Sequence, residues 1–386
     1  MDARLFLDIL NFDSTSGSEG ELSDFLAERF LTDGCRLVRF DNEGNIWQET
    51  GAGRDAYNLL FVWGDPKVVF CTHLDTVPPY IGPTLTFSQN AQDECQADTP
   101  PSVIYGRGTC DAKGQIMAMY EACLELEKRG CSDFALLLLT GEETGSFGAK
   151  AFNKLASDIL PSAGDAWLVV GEPTDNMMAS AAKGTKAFEV EFTGKAFHSG
   201  YPQFGQSAVM MFNDFVNALR SIGFPYDEVL GDTTWNIGRL HSDNPQNILS
   251  DSLTCRVYFR TTFESDEMVS NVMKNMAGPG ARLRFGRPCV QDGSDIVAKE
   301  VADWQKSMKV TALGGDMPTR FEVLDGSPSK PVSFGSDAPQ LTCFRHRILC
   351  GPGSILVAHR DDEHIAIADM EAAIKNYIRI YEHINR

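Results

Sequence analysis

The chain has 386 residues, 43% of them hydrophobic and 23% charged, which describes a globular protein large enough for two domains. A formal net charge of -19, with no basic stripe anywhere, excludes nucleic acid and anionic lipid surfaces as partners. No apolar run reaches membrane length, the opening residues lack a charged-then-apolar secretory pattern, and the ten cysteines form no CxxC pair. These features predict a reducing, cytoplasmic setting.

Residues 2–11 and 19–32 read as helices around a Ser/Gly-rich connection, FDSTSGSEGE. NLLFVW and KVVFCT then read as short strands joined by a GDP turn. The acidic, Pro-containing stretch around 90–102 reads as a surface loop. Residues 115–129 carry apolar positions at helical spacing and stop at Gly130. FALLLLT is a continuous apolar run of strand length, expected to be buried on both faces of a parallel sheet. A helix over 145–157 and the strand AWLVV complete a strand–helix alternation typical of a doubly wound α/β domain.

Near residue 180 the pattern changes. KAFEVEFTG and DSLTCRVYFRTTF alternate strictly, with Phe188, Val190 and Phe192 on one face of the first and Leu253, Cys255, Val257 and Phe259 on one face of the second. That is the signature of an antiparallel sheet covered on one side, here by helices over 206–221 and 265–277. The expected organisation is an α/β catalytic domain with a mostly parallel sheet over 1–179 and 294–386. An α+β domain over 180–293 is inserted into it, and helices are expected near 297–309 and 368–384.

Candidate metal ligands fall after strand-like runs or in Gly-rich loops, where an open α/β sheet presents its chemistry. They are His73 with Asp75 in CTHLDTVP, Asp111 in YGRGTCDAKG, Glu142 and Glu143 in TGEETGS, Glu172 in VVGEPTD and His359 in GPGSILVAHRDDEH. Imidazoles and carboxylates without thiolates suit a catalytic zinc-type site with open coordination positions, and the number of groups suggests a two-metal hydrolase. Asp75 is placed to hold the other nitrogen of His73. Asp111 alone would read as a helix N-cap, and as a ligand it can bridge two ions. Adjacent glutamates in an extended loop point to opposite sides, so one can bind metal while the other faces the reacting water. Pro173 stiffens the backbone after Glu172. His198, in KAFHSGYP of the inserted domain, stands apart from the ligand set in a Gly-flanked loop.

These motifs, in this order along essentially the whole chain, resemble the di-zinc aminoacylase and acetylornithine deacetylase family, which also holds succinyl-diaminopimelate desuccinylases and glutamate carboxypeptidases. The resemblance implies that His73 and Glu172 ligate one zinc, that Glu143 and His359 ligate the other, and that Asp111 bridges them. Cobalt can substitute. It also implies Glu142 as general base, Asp75 as the group orienting His73, and the inserted domain as a dimerisation or lid domain. His198 would then serve the oxyanion in the partner subunit of a homodimer. Asn247, Arg260, Gly351 and Gly353 would contact a small N-acyl amino acid. GEPT, WNIGRL and the GPGSILVAHRDDEHI stretch look most like the acetylornithine or acetylcitrulline deacetylase branch, acting in arginine biosynthesis. Desuccinylase, dipeptidase and carboxypeptidase activities are the alternatives, with a non-catalytic binding protein more remote. LSD after Asn247 departs from the apolar-Pro pair that the family usually carries there.

Overall fold

The computed structural model describes residues 1–47, 53–86, 102–278, 280–283 and 302–386. The acidic stretch expected to form a loop over 90–102 and the expected boundary at 293 lie outside them, save for Ser102. The chain divides into two units. One comprises Met1–Ser180, Phe321–Lys330 and Ser336–Arg386, and the other Ala181–Arg320 with Pro331–Gly335.

The first unit is α/β. Its seven-stranded sheet runs in the order His346–Leu349, Trp167–Val170, Val68–His73, Asp133–Leu139, Asn58–Gly64, Arg36–Phe40, Ile46–Trp47. The first four strands are parallel to one another and the remainder join antiparallel. The strands on either side of the GDP turn do not pair with each other, because Asp133–Leu139 inserts between them. This explains the unbroken apolar run of that strand: it is hydrogen-bonded on both edges and buried on both faces. On one face Phe61, Phe70, Leu136 and Val169 pack with Ile116, Met119, Tyr377 and Ile380, from helices Lys113–Lys128 and Ile367–Ile384. On the other face Phe152, of helix Phe147–Ile159, lies 6.1 Å from the Phe40 ring and 5.8 Å from Phe344.

In the second unit a four-stranded antiparallel sheet runs Thr234–His241, Ser252–Thr261, Gly184–Thr193, Met308–Gly314. Phe188, Val190, Phe192, Leu253, Cys255, Val257 and Phe259 are buried together with helices Ala208–Arg220 and Asp266–Met276, as the alternation predicts. The expected return to the first unit at 294 is corrected. Met308–Gly314 hydrogen-bonds along Gly184–Thr193, so the chain stays in the second unit through Arg320. Of the helix expected near 297–309, only Asp303–Lys306 is helical among the described residues. Among the described residues no helix is long and apolar enough to cross a membrane.

Candidate metal centre

Four neighbouring parallel strands deliver most of the candidate residues at their carboxyl ends, the usual ligand edge of such a sheet. His73 is the last residue of Val68–His73. Glu142 and Glu143 follow Asp133–Leu139, Glu172 follows Trp167–Val170, and the loop carrying Gly351, Gly353 and His359 follows His346–Leu349. Asp111 arrives in the turn before helix Lys113–Lys128 and is followed by a cis Asp111–Ala112 peptide.

These side chains converge. His73–Asp111–Glu172 and Asp111–Glu143–His359 each place one donor atom per residue within 4.8 Å of one another, and His73–Glu142–Glu143 forms a third such group. Asp111 stands between the imidazoles, its Oδ1 3.0 Å from His73 Nε2 and its Oδ2 3.3 Å from His359 Nε2. Glu143 Oε1 lies 2.8 Å from His359 Nε2. His73 is buried, and its Nδ1 sits 2.9 Å from the Asp75 carbonyl and 3.3 Å from Asp75 Oδ1. His359 takes a left-handed φ of 63°, a conformation that costs a non-glycine residue about 1–3 kcal/mol.

The acidic pair departs from the extended loop expected for it. Glu142–Gly145 is a single helical turn, entered through Gly141 at φ 70°. Asp75 caps the turn: its Oδ1 accepts the Glu142 N–H at 3.0 Å and its Oδ2 the Glu143 N–H at 3.1 Å, while Ser16 Oγ donates to Oδ2 at 2.7 Å. One carboxylate therefore supports both His73 and the Glu142–Glu143 turn.

The electrostatics match a cation site. Burial pushes the Glu142 and Glu172 carboxyls well above the ordinary range, and neighbouring carboxylates add to it. Burial opposes protonation of His73, but Asp111 and Asp75 outweigh it and hold the imidazole well above its usual value. Hydrogen bonds to Asp111 and Glu143 raise His359 to about 10. Asp111 is held below the carboxylate range by the two imidazoles, against its burial. Buried carboxylates in this number need positive charge among them. A set of imidazoles and carboxylates without thiolate fits divalent ions of the zinc type.

Further residues complete the site without having been singled out in the sequence. Glu363 and Arg107 form a buried ion pair at 2.6 Å behind Asp111. In the sequence Glu363 is the third acid of an acidic run and reads as solvated. Glu19 lies buried beneath the acidic turn and accepts the Gly141 N–H at 3.1 Å. Asp337 is buried and raises both Glu142 and Glu172. Gly351 and Gly353 are close-packed: a Cβ on Gly351 would meet Gln115 Oε1 at 2.2 Å, and one on Gly353 would meet Cys110 Sγ at 2.7 Å.

The second unit carries the other candidates. His198 is exposed, and its Nδ1 accepts the Gly200 N–H at 3.1 Å. Ser199 N–H donates to the Asn247 carbonyl at 2.9 Å, so His198 and Asn247 lie on paired segments. Arg260 sits between Thr185 and Thr234 in the sheet, with its guanidinium 5.1 Å from the Tyr258 ring centre.

The model of peptidase family M20/M25/M40 matches residues 69–383. The chain belongs to this family. It is thereby a member of a family of metallo-hydrolases acting on amide and peptide bonds. A protein of Emericella nidulans described as a probable carboxypeptidase is 30% identical over 98% of this chain and 89% of its own length. Among solved structures, a tripeptidase from Staphylococcus aureus superposes with a TM-score of 0.73 at 19% identity, covering 99% of this chain and 97% of that one. A Bacillus subtilis protein, described as a dinuclear metal binding peptidase of the M20 family, gives 0.60 at 10% identity, covering 98% and 95%. These superpositions establish the shared fold.

Proposed function

We propose that this M20 protein is a di-zinc amidohydrolase that cleaves an amide whose leaving amine belongs to an amino acid with a free carboxylate. The observation that carries the reading is the pair of ligand groups joined at Asp111 with Glu142 beside them. His73 and Glu172 would hold one ion and Glu143 and His359 the other, with Asp111 available to both. When bound, the ions supply Lewis acidity toward the amide carbonyl and make water a better nucleophile at neutral pH. The Glu142 carboxylate takes a proton from the attacking water and returns it to the amine nitrogen as the C–N bond breaks and the new C–O bond forms. Burial raises Glu142, and cations held beside it would act in the opposite direction.

The preferred substrates are small N-acyl amino acids, N-acetylornithine or N-acetylcitrulline first, which places the enzyme in arginine biosynthesis. The motifs GEPT, WNIGRL and GPGSILVAHRDDEHI support this branch. A second reading, release of a C-terminal residue from a short peptide, is favoured by the name of the fungal relative. Both substrates present the same bond. The protein acts as a homodimer through its second unit, where the exposed His198 donates to the oxyanion of the partner's site and Asn247 and Arg260 bind the substrate's amide and carboxylate.

The deciding measurement is a hydrolysis panel with added zinc or cobalt: N-acetylornithine, N-acetylcitrulline, N-succinyl amino acids, dipeptides, and the same peptides amidated at the C-terminus. Turnover of the acetyl compounds over peptides supports the deacetylase. Preference for peptides with a free carboxylate shifts the assignment to carboxypeptidase, and no turnover of any amide overturns the reading.

A further inference from the structure

Asp111 and His359 come from distant parts of the chain and sit on irregular backbone, so something must hold them at 3.3 Å. The segment that carries Asp111 is gripped by one buried carboxylate. Glu363 Oε1 accepts three backbone N–H groups of this segment, from Gly108 at 2.9 Å, Cys110 at 3.1 Å and Asp111 itself at 3.2 Å. Its Oε2 accepts from Arg107 Nη1 at 2.6 Å, and its backbone carbonyl accepts the Gly106 N–H at 2.9 Å. Arg107 extends the clamp to the backbone carbonyls of Arg360, at 3.1 Å, and Pro79, at 3.3 Å. Glu363 follows His359 by four residues, so the loop holding one candidate ligand is tied directly to the segment holding the other.

We propose that Glu363 is a positioning residue of the metal centre: through the three N–H groups it sets the direction of Asp111 and the separation of Asp111 from His359. Buried backbone donors require acceptors, and a helix or strand would have supplied them locally. Here a charged side chain supplies them immediately behind the shared ligand. Groups that orient metal ligands from behind typically change metal affinity or activity by about 10- to 100-fold when altered. The inference rests on the dinuclear reading of Asp111.

The test uses E363Q, R107M and the double variant R107M/E363Q, each stripped and titrated with cobalt(II), reading affinity and the visible spectrum of the bound ion. In E363Q the amide cannot accept at both positions. It turns its NH2 group either toward Arg107 or toward the three backbone N–H groups. Cobalt affinity should fall by about 10- to 100-fold, with an altered spectrum and unchanged far-ultraviolet circular dichroism. Activity should fall through kcat more than through KM. Removing Arg107 frees the amide oxygen to face the backbone N–H groups but also removes the bonds to Arg360 and Pro79. R107M/E363Q is therefore compared with R107M alone and should bind cobalt about as tightly as that single variant. This comparison also decides the matter if E363Q does not fold. Fewer than two cobalt ions in the wild type would overturn the dinuclear reading and this inference with it. Two ions in the wild type, with the same affinity and spectrum in E363Q, would overturn the inference alone, as would a double variant that binds cobalt far more weakly than R107M alone.

Discussion

Asp75 Oδ1 accepts the backbone N–H of Glu142 at 3.0 Å and lies 3.3 Å from Nδ1 of the buried His73. The residue expected to act on the imidazole alone thus also sets where the acidic turn begins. Asp75→Asn replaces one acceptor oxygen with a donor, which must disturb either the Glu142 N–H together with His73 or the Glu143 N–H together with Ser16. The expected outcome is a loss of about 10- to 100-fold in metal affinity or turnover, read by metal titration and steady-state kinetics. An Asp75→Asn enzyme with wild-type values for both would show that the turn is held by its neighbours instead.

Glu142→Ala should lower turnover by about 10²- to 10⁴-fold, the usual contribution of a general acid–base group. Metal content and substrate KM should stay close to wild type, because Glu143 and His359 keep their 2.8 Å contact without it. Loss of metal from this variant would exchange the roles assigned to the two glutamates.

Glu19 predicts a pH-dependent stability. Burial first, and then the Asp75 charge, raise its carboxyl from 4.5 to about 7. The folded protein thus keeps a proton that the unfolded chain releases, and stability falls as pH rises from 4.5 to about 7 and levels off above that. The full span corresponds to about 3 kcal/mol. Urea unfolding of chelator-treated wild type and Glu19→Gln across this range isolates it, since other titrations cancel in the difference. The wild type should lose stability relative to the variant as pH rises, and a gap that does not change with pH would refute the assignment.

The role proposed for His198 is tested by complementation. His198→Ala should lose about 10²- to 10³-fold in turnover, the worth of an oxyanion donor, while binding metal normally. Mixed with Glu142→Ala under conditions that exchange subunits, it should regain part of the activity, because one site in each mixed dimer is whole. No recovery after confirmed exchange would confine His198 to its own chain or remove it from the reaction.

The sequence by itself determined most of the elements and which side chains are candidates for the chemistry. The alternation of Phe188, Val190 and Phe192 reports a half-buried strand because successive side chains point to opposite faces. The unbroken run before Thr140 reports one buried on both. The His and carboxylate positions were legible because each follows such a run or sits in a Gly-rich loop. Strand neighbours were not legible: periodicity reveals faces and is silent about edges. Only the assembled sheet decided that Asp133–Leu139 separates the two strands around the GDP turn, or that Met308–Gly314 extends the second unit. The supporting groups were hidden for a related reason. Glu363 in an acidic run and Glu19 in a Ser/Gly-rich segment look solvated locally, and their burial exists only once distant backbone N–H groups close around them. Hydrogen-bond direction and desolvation are properties of the packed chain, so the tertiary structure alone decided which acids converge with the imidazoles and which lie behind or beneath them.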